Sequence, residues 1–303
     1  MVATKAEATR WLKDQVSAQR RRQLVSTRLK ARAVTAGLRA LPDFLIIGGQ
    51  RCGTSSLYKH LGAHRQVVPS LRKETEYFST RFGEGESWYR SHFPLRTRLA
   101  VGHKATFEAT PDYMLDPRAP GRAADLVPDA RIIAMVRDPV ERAYSQYQHN
   151  RRLGHEPLTF EEALAAEGER IAGEIERLSA DQNYRAIPLR RHAYIGRGMY
   201  ADQLRGWFGF FPPERTLVVK FEDLIESPAD TMRGIERFLG IDDWIPPTFT
   251  NHSYGRAGRT VQTPMPEPTR KHLQAVFAPA NRDLETLLDR RFGWSVDEAD
   301  GSG

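Results

Sequence analysis

The sequence predicts an α/β protein with a P-loop-like three-layer fold, in which a central, mainly parallel sheet is flanked by helices. Three short apolar runs, at residues 44–47, Arg131–Val136 and 216–221, have the composition of strands that are buried on both faces. Helical patterns separate these runs along the chain. Strands that alternate with helices are typical of α/β units and parallel sheets.

The remaining elements follow from weaker patterns of the same kind. Two further strand candidates lie at residues 67–68 and 105–108. The helical patterns cover residues 54–61 (with Gly62 as the expected stop), 139–153, 159–178, 200–208, 228–239 and 269–288. In sheets of this class ligands bind at the carboxyl ends of the strands. Functional residues are therefore expected directly after the apolar runs.

The positive charge of the chain is concentrated at its amino-terminal end. The 303 residues carry a formal net charge of +7, but residues 1–40 alone contain ten Lys and Arg against two acidic residues. We therefore predict a basic helical arm over residues 1–40, a catalytic domain over 41–295 and a flexible tail over 296–303. The arm interleaves apolar with basic residues, which indicates contact with a membrane surface or a second copy of the chain, or a solvated helix.

Two absences bear on class and location. No run reaches the ~18 apolar residues of a membrane helix, and no signal peptide is recognisable. Cys52 is the only cysteine, so an internal disulfide is impossible, and a reducing, cytoplasmic location fits. The nine histidines and one cysteine show no ligand spacing, so we expect no metal. We expect no nucleic acid as a partner.

A glycine-rich turn joins the first strand to the first helix and predicts an anion site. Its residues are Gly48, Gly49, Gln50, Arg51, Cys52, Gly53, Thr54 and Ser55. Glycines let backbone amides point inward, and the start of a helix adds unpaired N–H donors. The spacing matches a Walker A loop, but Thr54 stands where the Walker lysine belongs. The cation, Arg51, lies inside the loop, which suits a 5′ anion shorter than a triphosphate.

A second anion site is predicted after the strand at Arg131–Val136. Asp138 is a candidate N-cap, and Glu141 has the spacing of a capping box. Arg137 follows the strand and Ser145 lies about two helical turns further on, so both can bind one anion. Taken alone, this arginine is better explained by a salt bridge, and the serine by simple exposure. Two anion sites at two strand ends instead indicate one ligand with separated 5′ and 3′ anions.

Together these motifs resemble the sulfotransferases that use 3′-phosphoadenosine-5′-phosphosulfate (PAPS), closest to their heparan-sulfate-type and bacterial carbohydrate branch. FLIIGGQRCGTSSL resembles the family's 5′-phosphosulfate loop, and RIIAMVRDPVERAYSQYQH resembles its 3′-phosphate motif. The resemblance extends over residues 43–294. It implies donor contacts from Arg51, Cys52, Gly53, Thr54, Ser55, Ser56, Arg137, Ser145, Tyr200, Gly258 and Arg259.

The resemblance also implies a catalytic pair. Glu74, within LRKETEYF, matches the catalytic glutamate of the glycosaminoglycan branch, and Arg51 would stabilise the leaving 5′-phosphate. Spacing alone favours a surface carboxylate in a charged run, with Lys73 beside it, and the match to the family's motif favours the catalytic role instead. His64 and His103 are competing candidates for the general base.

Departures from the family pattern leave the acceptor open. Arg51 replaces the usual loop lysine, and Ala109 and Ala257 replace lysines of the glycosaminoglycan enzymes. We expect a hydroxyl or amine of a carbohydrate, glycolipid or small molecule. Residues 159–178 and 181–198 are expected to form the acceptor cleft, and the arginines of the second segment indicate an acidic acceptor or simply an exposed lid. Two rival functions are a P-loop kinase, which the missing Walker lysine opposes, and a non-catalytic nucleotide-binding protein.

Overall fold

The computed structural model of this chain describes residue 20, residues 23–244 and residues 264–294. These residues contain a five-stranded sheet in the order β2–β3–β1–β4–β5. Its strands are β1 (Phe44–Gly48), β2 (Val67–Pro69), β3 (Ala105–Ala109), β4 (Arg131–Val136) and β5 (Thr216–Lys220). Every neighbouring pair is parallel, which confirms the predicted fold class.

Helices connect these strands in the way the alternating pattern predicts. They are α1 (residues 23–33), α2 (Thr54–Ala63), α3 (Glu86–Arg90), α4 (Arg96–Ala100), α5 (Ala119–Leu126), α6 (Pro139–Arg152), α7 (Phe160–Ala165), α8 (Glu167–Ile171), α9 (Glu174–Ala180), α10 (Ile187–His192), α11 (Tyr200–Phe208), α12 (Phe221–Glu226), α13 (Pro228–Leu239) and α14 (Glu267–Leu288). Short 3₁₀ turns occur at Ala36–Leu38, Phe82–Glu84, Pro111–Met114, Gly196–Gly198 and Pro213–Arg215.

The central strand shows why the fold has three layers. All five residues of β1 are buried. Leu45 and Ile47 pack into one hydrophobic cluster, and Phe44 and Ile46 into another. The alternation of side chains along a strand sends these pairs to opposite faces of the sheet. Both faces of β1 are therefore covered by helices, as its unbroken apolar run predicts.

Two predicted helix boundaries are wrong. Residues 159–178 do not form one helix but the three short helices α7, α8 and α9. Gly173 adopts a left-handed conformation (φ 73°) between the last two, which a continuous helix does not allow. Gly62 does not stop α2. The helix continues to Ala63 and ends where the backbone of His64 becomes extended.

The second half of the predicted basic arm is attached to the domain. Leu29 and Arg39 are buried. The Arg32 guanidinium donates hydrogen bonds to the carbonyl oxygens of Ser91 and Phe93, on the segment after α3. In the part of the chain that the structure describes, no helix combines the length and the apolar character needed to span a membrane.

Candidate active site

The glycine-rich loop between β1 and α2 forms an anion cradle. Gly53 caps α2 in a left-handed conformation (φ 85°), and a Cβ there would lie 2.5 Å from the ring of Phe221, so only glycine fits. Thr54 and Ser55 open the helix, where the first amides have no intrahelical acceptor. Among the described residues the amides of Gly53–Ser55 make no other backbone hydrogen bond. They are available to an anion at the positive end of α2.

The neighbouring cysteine anchors this loop from beneath. Cys52 is fully buried, and its Sγ lies 3.7 Å from the hydroxyl of Tyr200. Burial raises the pKa of this thiol to about 11, so it stays protonated at neutral pH. The side chain of Cys52 therefore packs in the core, and its amide donates to the carbonyl of Gly49 at 3.1 Å, so neither group is available to a ligand. Ser56, two residues into α2, is likewise buried.

Arg51 connects the two predicted anion sites. Its Nε donates a hydrogen bond of 3.0 Å to the Oγ of Ser145 on α6. Nη1 of Arg137 donates to the backbone oxygen of Arg51 at 3.3 Å. Two motifs that are 94 residues apart in the sequence are therefore in direct contact. They form one positively charged site rather than two.

The backbone of Arg137 is held by a buried tyrosine. The hydroxyl of Tyr200, at the start of α11, donates to the Arg137 carbonyl at 2.8 Å and accepts from its amide at 3.4 Å. The guanidinium carbon of Arg137 lies 4.9 Å from the centre of the Phe221 ring, within cation–π range. Tyr200 thus supports the backbone of Arg137, and its own side chain is buried.

The N-terminus of α6 differs in one detail from the prediction. Asp138 does cap the helix, since its side chain accepts from the amide of Val140. The capping box with Glu141 is wrong, because the Asp138 amide donates to Glu222 on α12 at 3.0 Å. Glu141 is instead paired with Arg270 on α14. The sequence pattern identified the cap but not its long-range partner.

A histidine that the sequence analysis did not single out lies near this charge. Burial, and then the positive charges of Arg51, Arg152 and His155, lower the pKa of His149 on α6 to about 4. His149 is therefore neutral at pH 7 and adds no charge to the anion site. A group with so low a pKa is also a weak general base.

Glu74 lies at the edge of the sheet that carries the loop. Its amide donates to the carbonyl of Ala109, the last residue of β3, at 3.0 Å. Strand β3 is paired in parallel with β1, so their carboxyl ends meet at this edge. The Glu74 side chain is 46% exposed and forms an ion pair with Lys73. Its backbone has φ 62°, in the left-handed region that non-glycine residues rarely adopt.

A buried carboxylate organises the segment that carries Glu74. Glu108 on β3 is fully buried. Its Oε2 accepts from the hydroxyls of Thr75 (2.6 Å) and Thr110 (2.8 Å), and its Oε1 from those of Tyr89 (2.7 Å) and Tyr113 (2.8 Å). Burial raises the pKa of Glu108, and the four hydroxyl donors oppose that rise. The residue next to Glu74 is thereby tied to the core of the sheet.

A comparison with known proteins identifies the family to which a chain with this fold and these two motifs belongs. A family model described as the sulfotransferase domain matches residues 41–253, more than half of the chain. The chain belongs to this sulfotransferase family. The protein is thus a sulfotransferase, which confirms the enzyme class that the resemblance of its two motifs implies.

Individual relatives of this sulfotransferase support the same conclusion. It is 30% identical to human bifunctional heparan sulfate N-deacetylase/N-sulfotransferase 3 over 82% of its length, but spans only 30% of that protein. It is 27% identical to the membrane-associated sulfotransferase kil1 of Dictyostelium discoideum, covering 86% of this chain and 68% of that one. The crystal structure of a sulfotransferase from Alicyclobacillus acidocaldarius superposes with a TM-score of 0.63 at 30% identity, covering 84% of this chain and 99% of that one.

Several predicted site residues have other roles or lie elsewhere. His64 is not a solvated loop histidine: it is buried, with Nε2 2.9 Å from the carbonyl of Asp242 and Nδ1 accepting from the amide of Gln66. His103 lies in the loop between α4 and β3 and contacts a carbonyl of α4. Gly258 and Arg259 lie outside the described residues. Within the described ranges no group of His, Cys, Asp and Glu could hold a metal ion.

The arginines of residues 181–198 are less available than their number indicates. Arg190 pairs with both Glu76 (2.9 Å) and Asp112, and the buried Arg197 pairs with Asp112 at 2.7 Å. Burial alone would raise the pKa of Asp112, but these two arginines outweigh it and hold that pKa below its ordinary value. Of the four arginines in this segment, only Arg185 and Arg191 are exposed. The positive charge of this segment is thus partly neutralised by half-buried carboxylates, and the segment is less basic than its sequence indicates.

Sequence reasoning missed Glu108, His149, Phe221 and Glu222. A signal existed for Glu108, because a carboxylate inside the short apolar strand β3 requires buried partners. Glu222 also had a signal, as it opens a helix directly after β5 at the ligand-binding edge. Nothing in the local sequence indicates that Phe221 stacks on Arg137 or that Arg51 lowers the pKa of His149.

Glu108→Ala should lower the free energy of unfolding by about 3–5 kcal/mol, because four buried hydroxyls lose their acceptor. Glu108→Gln is the matched control. It keeps an acceptor for both tyrosines, and the threonine hydroxyls can rotate to accept from its amide, so it should lose less than half as much. Urea denaturation of the three proteins measures the difference. Equal stability of the alanine and glutamine variants would show that the hydroxyl cluster is not what Glu108 supports.

Proposed function

We propose that this sulfotransferase moves a sulfuryl group from PAPS to a hydroxyl or amine of a carbohydrate, glycolipid or small-molecule acceptor, and releases 3′-phosphoadenosine-5′-phosphate (PAP). The observation that carries the proposal is the hydrogen bond between Arg51 and Ser145. It brings the cation of the glycine-rich loop and the hydroxyl of the second motif into one site. PAPS has an anion at each end of one nucleoside, so a single molecule can contact both motifs.

Each end of the donor has its own group of residues in this proposal. The amides of Gly53–Ser55 and the Arg51 side chain bind the 5′-phosphosulfate at the start of α2. Arg137 and Ser145 bind the 3′-phosphate, and Tyr200 holds the Arg137 backbone in place. Because Arg51 already contacts Ser145, it lies between the two anions. We infer that it releases Ser145 when the 3′-phosphate takes that hydroxyl.

The transfer itself is an in-line displacement at sulfur. The acceptor oxygen or nitrogen forms a new bond to sulfur while the bond from sulfur to the 5′-phosphate oxygen breaks. The electron pair of the broken bond stays on the phosphate, where Arg51 and the loop amides stabilise the growing charge. The proton of the acceptor passes to Glu74 as general base. Positioning and charge stabilisation dominate, as in phosphoryl transfer.

Backbone strain supports this choice of catalytic residues. Arg51 (φ 75°) and Glu74 (φ 62°) are two of the five non-glycine residues with positive φ in the described part of the chain. Such conformations cost of order 1–3 kcal/mol each and are concentrated at functional sites. Arg51 follows β1, and the amide of Glu74 is bonded to the last residue of β3, the strand next to β1, so both residues lie on the side of the sheet where ligands bind. Glu76 has the same strain (φ 58°), and Glu74 is chosen over it because the Glu76 carboxylate is already bound by Arg190 and Thr80.

The acceptor is best narrowed by experiment. Relatives are described as acting on heparan sulfate, but this chain has Ala109 where that branch carries a lysine, and its arginine-rich segment is partly neutralised. We therefore propose that the acceptor is a carbohydrate or glycosylated metabolite that is less acidic than heparan sulfate. A cytoplasmic location of the protein stays a prediction. Mass spectrometry of the host's metabolites and glycans, incubated with protein and PAPS, tests the proposal. Products heavier by one SO₃ are expected, and their absence with every acceptor would favour a non-catalytic nucleotide-binding protein.

Arg137→Ala should weaken binding of PAP by about 10-fold to 100-fold, the size of a lost charge-assisted hydrogen bond. Adenosine-5′-phosphosulfate lacks the 3′-phosphate and is the matched control ligand. Its binding should change much less, because Arg137 is assigned to the 3′ end. Isothermal titration of both ligands checks this. Equal losses for the two ligands would mean that Arg137 does not bind the 3′-phosphate.

A further inference from the structure

An arginine-lined cavity lies where the basic arm joins the domain. It has a volume of about 540 Å³, and its lining includes Arg32, Arg39 and Arg98 together with Leu95 and Val101. The main chains of Arg39 and Leu95 pair in an antiparallel bridge, so the two segments that form the cavity are held together. This cavity shares no residue with the donor site.

The charge in this cavity has no counter-ion among the described residues. Burial, and then repulsion from Arg39, Arg28 and Arg98, lower the pKa of Arg32 to about 10, so Arg32 remains charged at neutral pH. No carboxylate contributes to that shift. Arg32 uses Nε and Nη2, and Arg39 uses Nε and Nη1, to donate to backbone carbonyls. Nη1 of Arg32 and Nη2 of Arg39 donate no hydrogen bond to any group in the described part of the chain.

Exposed aliphatic side chains lie on the two chain segments that form the cavity, and one of them, Val101, lines it. The four most exposed large hydrophobic residues of the described chain are Val34 (88%), Val101 (78%), Leu24 (70%) and Leu38 (66%). All of them lie in two segments, residues 23–40 and 94–104. These segments contain seven Lys and Arg and no acidic residue. Clustered exposed hydrophobics of this kind mark an interaction surface.

We propose that this arginine–aliphatic face, formed by residues 23–40 and 94–104, docks the protein on an anionic lipid surface. Headgroup phosphates are bound by the arginines, and the aliphatic side chains enter the boundary between headgroups and acyl chains. Basic residues combined with exposed aliphatic ones are the composition of membrane-surface segments. A nucleic-acid surface would match the charge but would leave the four exposed aliphatic side chains in water.

The position of this face leaves the active site accessible, and the inference goes beyond the proposed function. Arg39 precedes β1, whose opposite end carries the glycine-rich loop. Five strand residues span about 17 Å, at ~3.3 Å per residue. Docking therefore leaves the donor site at the far end of the strand. Substitutions in the face should leave PAP binding unchanged, which provides a test of folding for each variant.

Sedimentation of the full chain with vesicles tests the proposal. We expect binding to vesicles of equal parts phosphatidylglycerol and phosphatidylcholine, little binding to pure phosphatidylcholine, and release at high salt. Arg98→Gln should weaken binding about fivefold, which corresponds to ~1 kcal/mol per basic residue. Val34→Ser combined with Val101→Ser should weaken it by about tenfold or more. The matched controls are Arg233→Gln, on α13, and Leu153→Ser, at the end of α6, which should bind like the original protein.

Three results would overturn the proposal. The first is equal binding to neutral and anionic vesicles. The second is full binding by the Arg98 and Val34/Val101 variants, which would assign the attraction to residues before 23. The third is the absence of vesicle binding together with a dimer in sedimentation-velocity runs, or with a complex with duplex DNA, provided that these same substitutions disrupt the dimer or the complex. That outcome would assign the face to a second copy of the chain or to nucleic acid.

Discussion

Glu74→Gln should lower kcat by about 10²–10⁴-fold and leave the Kd for PAP nearly unchanged. Glutamine keeps the shape and the hydrogen-bonding ability of the side chain, but it cannot take the acceptor's proton at neutral pH. The backbone of Glu74 is bonded to Ala109, and that bond does not involve the carboxylate. Steady-state kinetics with the acceptor found by the product screen, together with titration of PAP, separate the two effects.

Glu76→Gln is the matched control for this substitution. Glu76 is two residues away, also has a left-handed backbone (φ 58°), and lies in the same charged segment. Its carboxylate is engaged by Arg190 and Thr80 rather than by the neighbouring lysine. It should therefore retain kcat within a few-fold of the original protein. Near-normal kcat for Glu74→Gln, or equal losses for both variants, would place the general base elsewhere.

Arg51→Ala should damage both donor binding and the rate of transfer. Loss of one donor that stabilises a leaving or developing anion typically costs about 10²–10³-fold in kcat. PAP affinity should also fall, because the Arg51 guanidinium lies between the two anion sites. Kinetics with PAPS and titration of PAP measure the two losses. Glu74→Gln should therefore lower only kcat, whereas Arg51→Ala should lower kcat and also raise the Kd for PAP.

A double-mutant cycle separates the direct role of Arg51 from its contact with Ser145. If both side chains bind the same nucleotide, the losses in PAP affinity from Arg51→Ala and Ser145→Ala should not be additive. Arg51→Lys is the conservative control, since it keeps a charge but cannot bond two groups through a planar fork. Additive losses in the double variant, or an Arg51→Ala protein with unchanged kcat, would contradict the shared site.

The sheet could be predicted from sequence, and the two motifs of the proposed donor site could be recognised there, because both depend on local patterns. Strands buried on both faces leave unbroken apolar runs, and β4 was predicted with its observed bounds, Arg131–Val136. The glycine-rich loop carries its cation, hydroxyls and helix start within eight consecutive residues. The sequence predicts one helix where the structure has α7–α9, because apolar periodicity continues through Gly173, where the backbone becomes left-handed.

Contacts between distant segments could not be predicted. The four hydroxyl donors of Glu108 come from three separate parts of the chain, and no sequence spacing indicates that they meet. The same is true of Arg190, whose charge is neutralised by Glu76, 114 residues away. The prediction of a basic acceptor cleft from the arginines of residues 181–198 is therefore weakened. A count of arginines does not show which of their charges are paired with carboxylates. The bond between Arg51 and Ser145 likewise required the fold to be known.

Isothermal titration of the full chain with PAP and with Mg²⁺-ATP tests the central claim, that the glycine-rich loop and the Arg137 motif form one site for a nucleotide with 5′ and 3′ anions. The account predicts that PAP binds at one site and that the Arg51→Ala and Arg137→Ala variants each weaken this binding. PAP present at 100 times its Kd should also stabilise the fold by ~2.7 kcal/mol. ATP has no 3′-phosphate and meets no Walker lysine, so it should bind far more weakly. Tight binding of ATP without binding of PAP would contradict the account and favour a P-loop kinase.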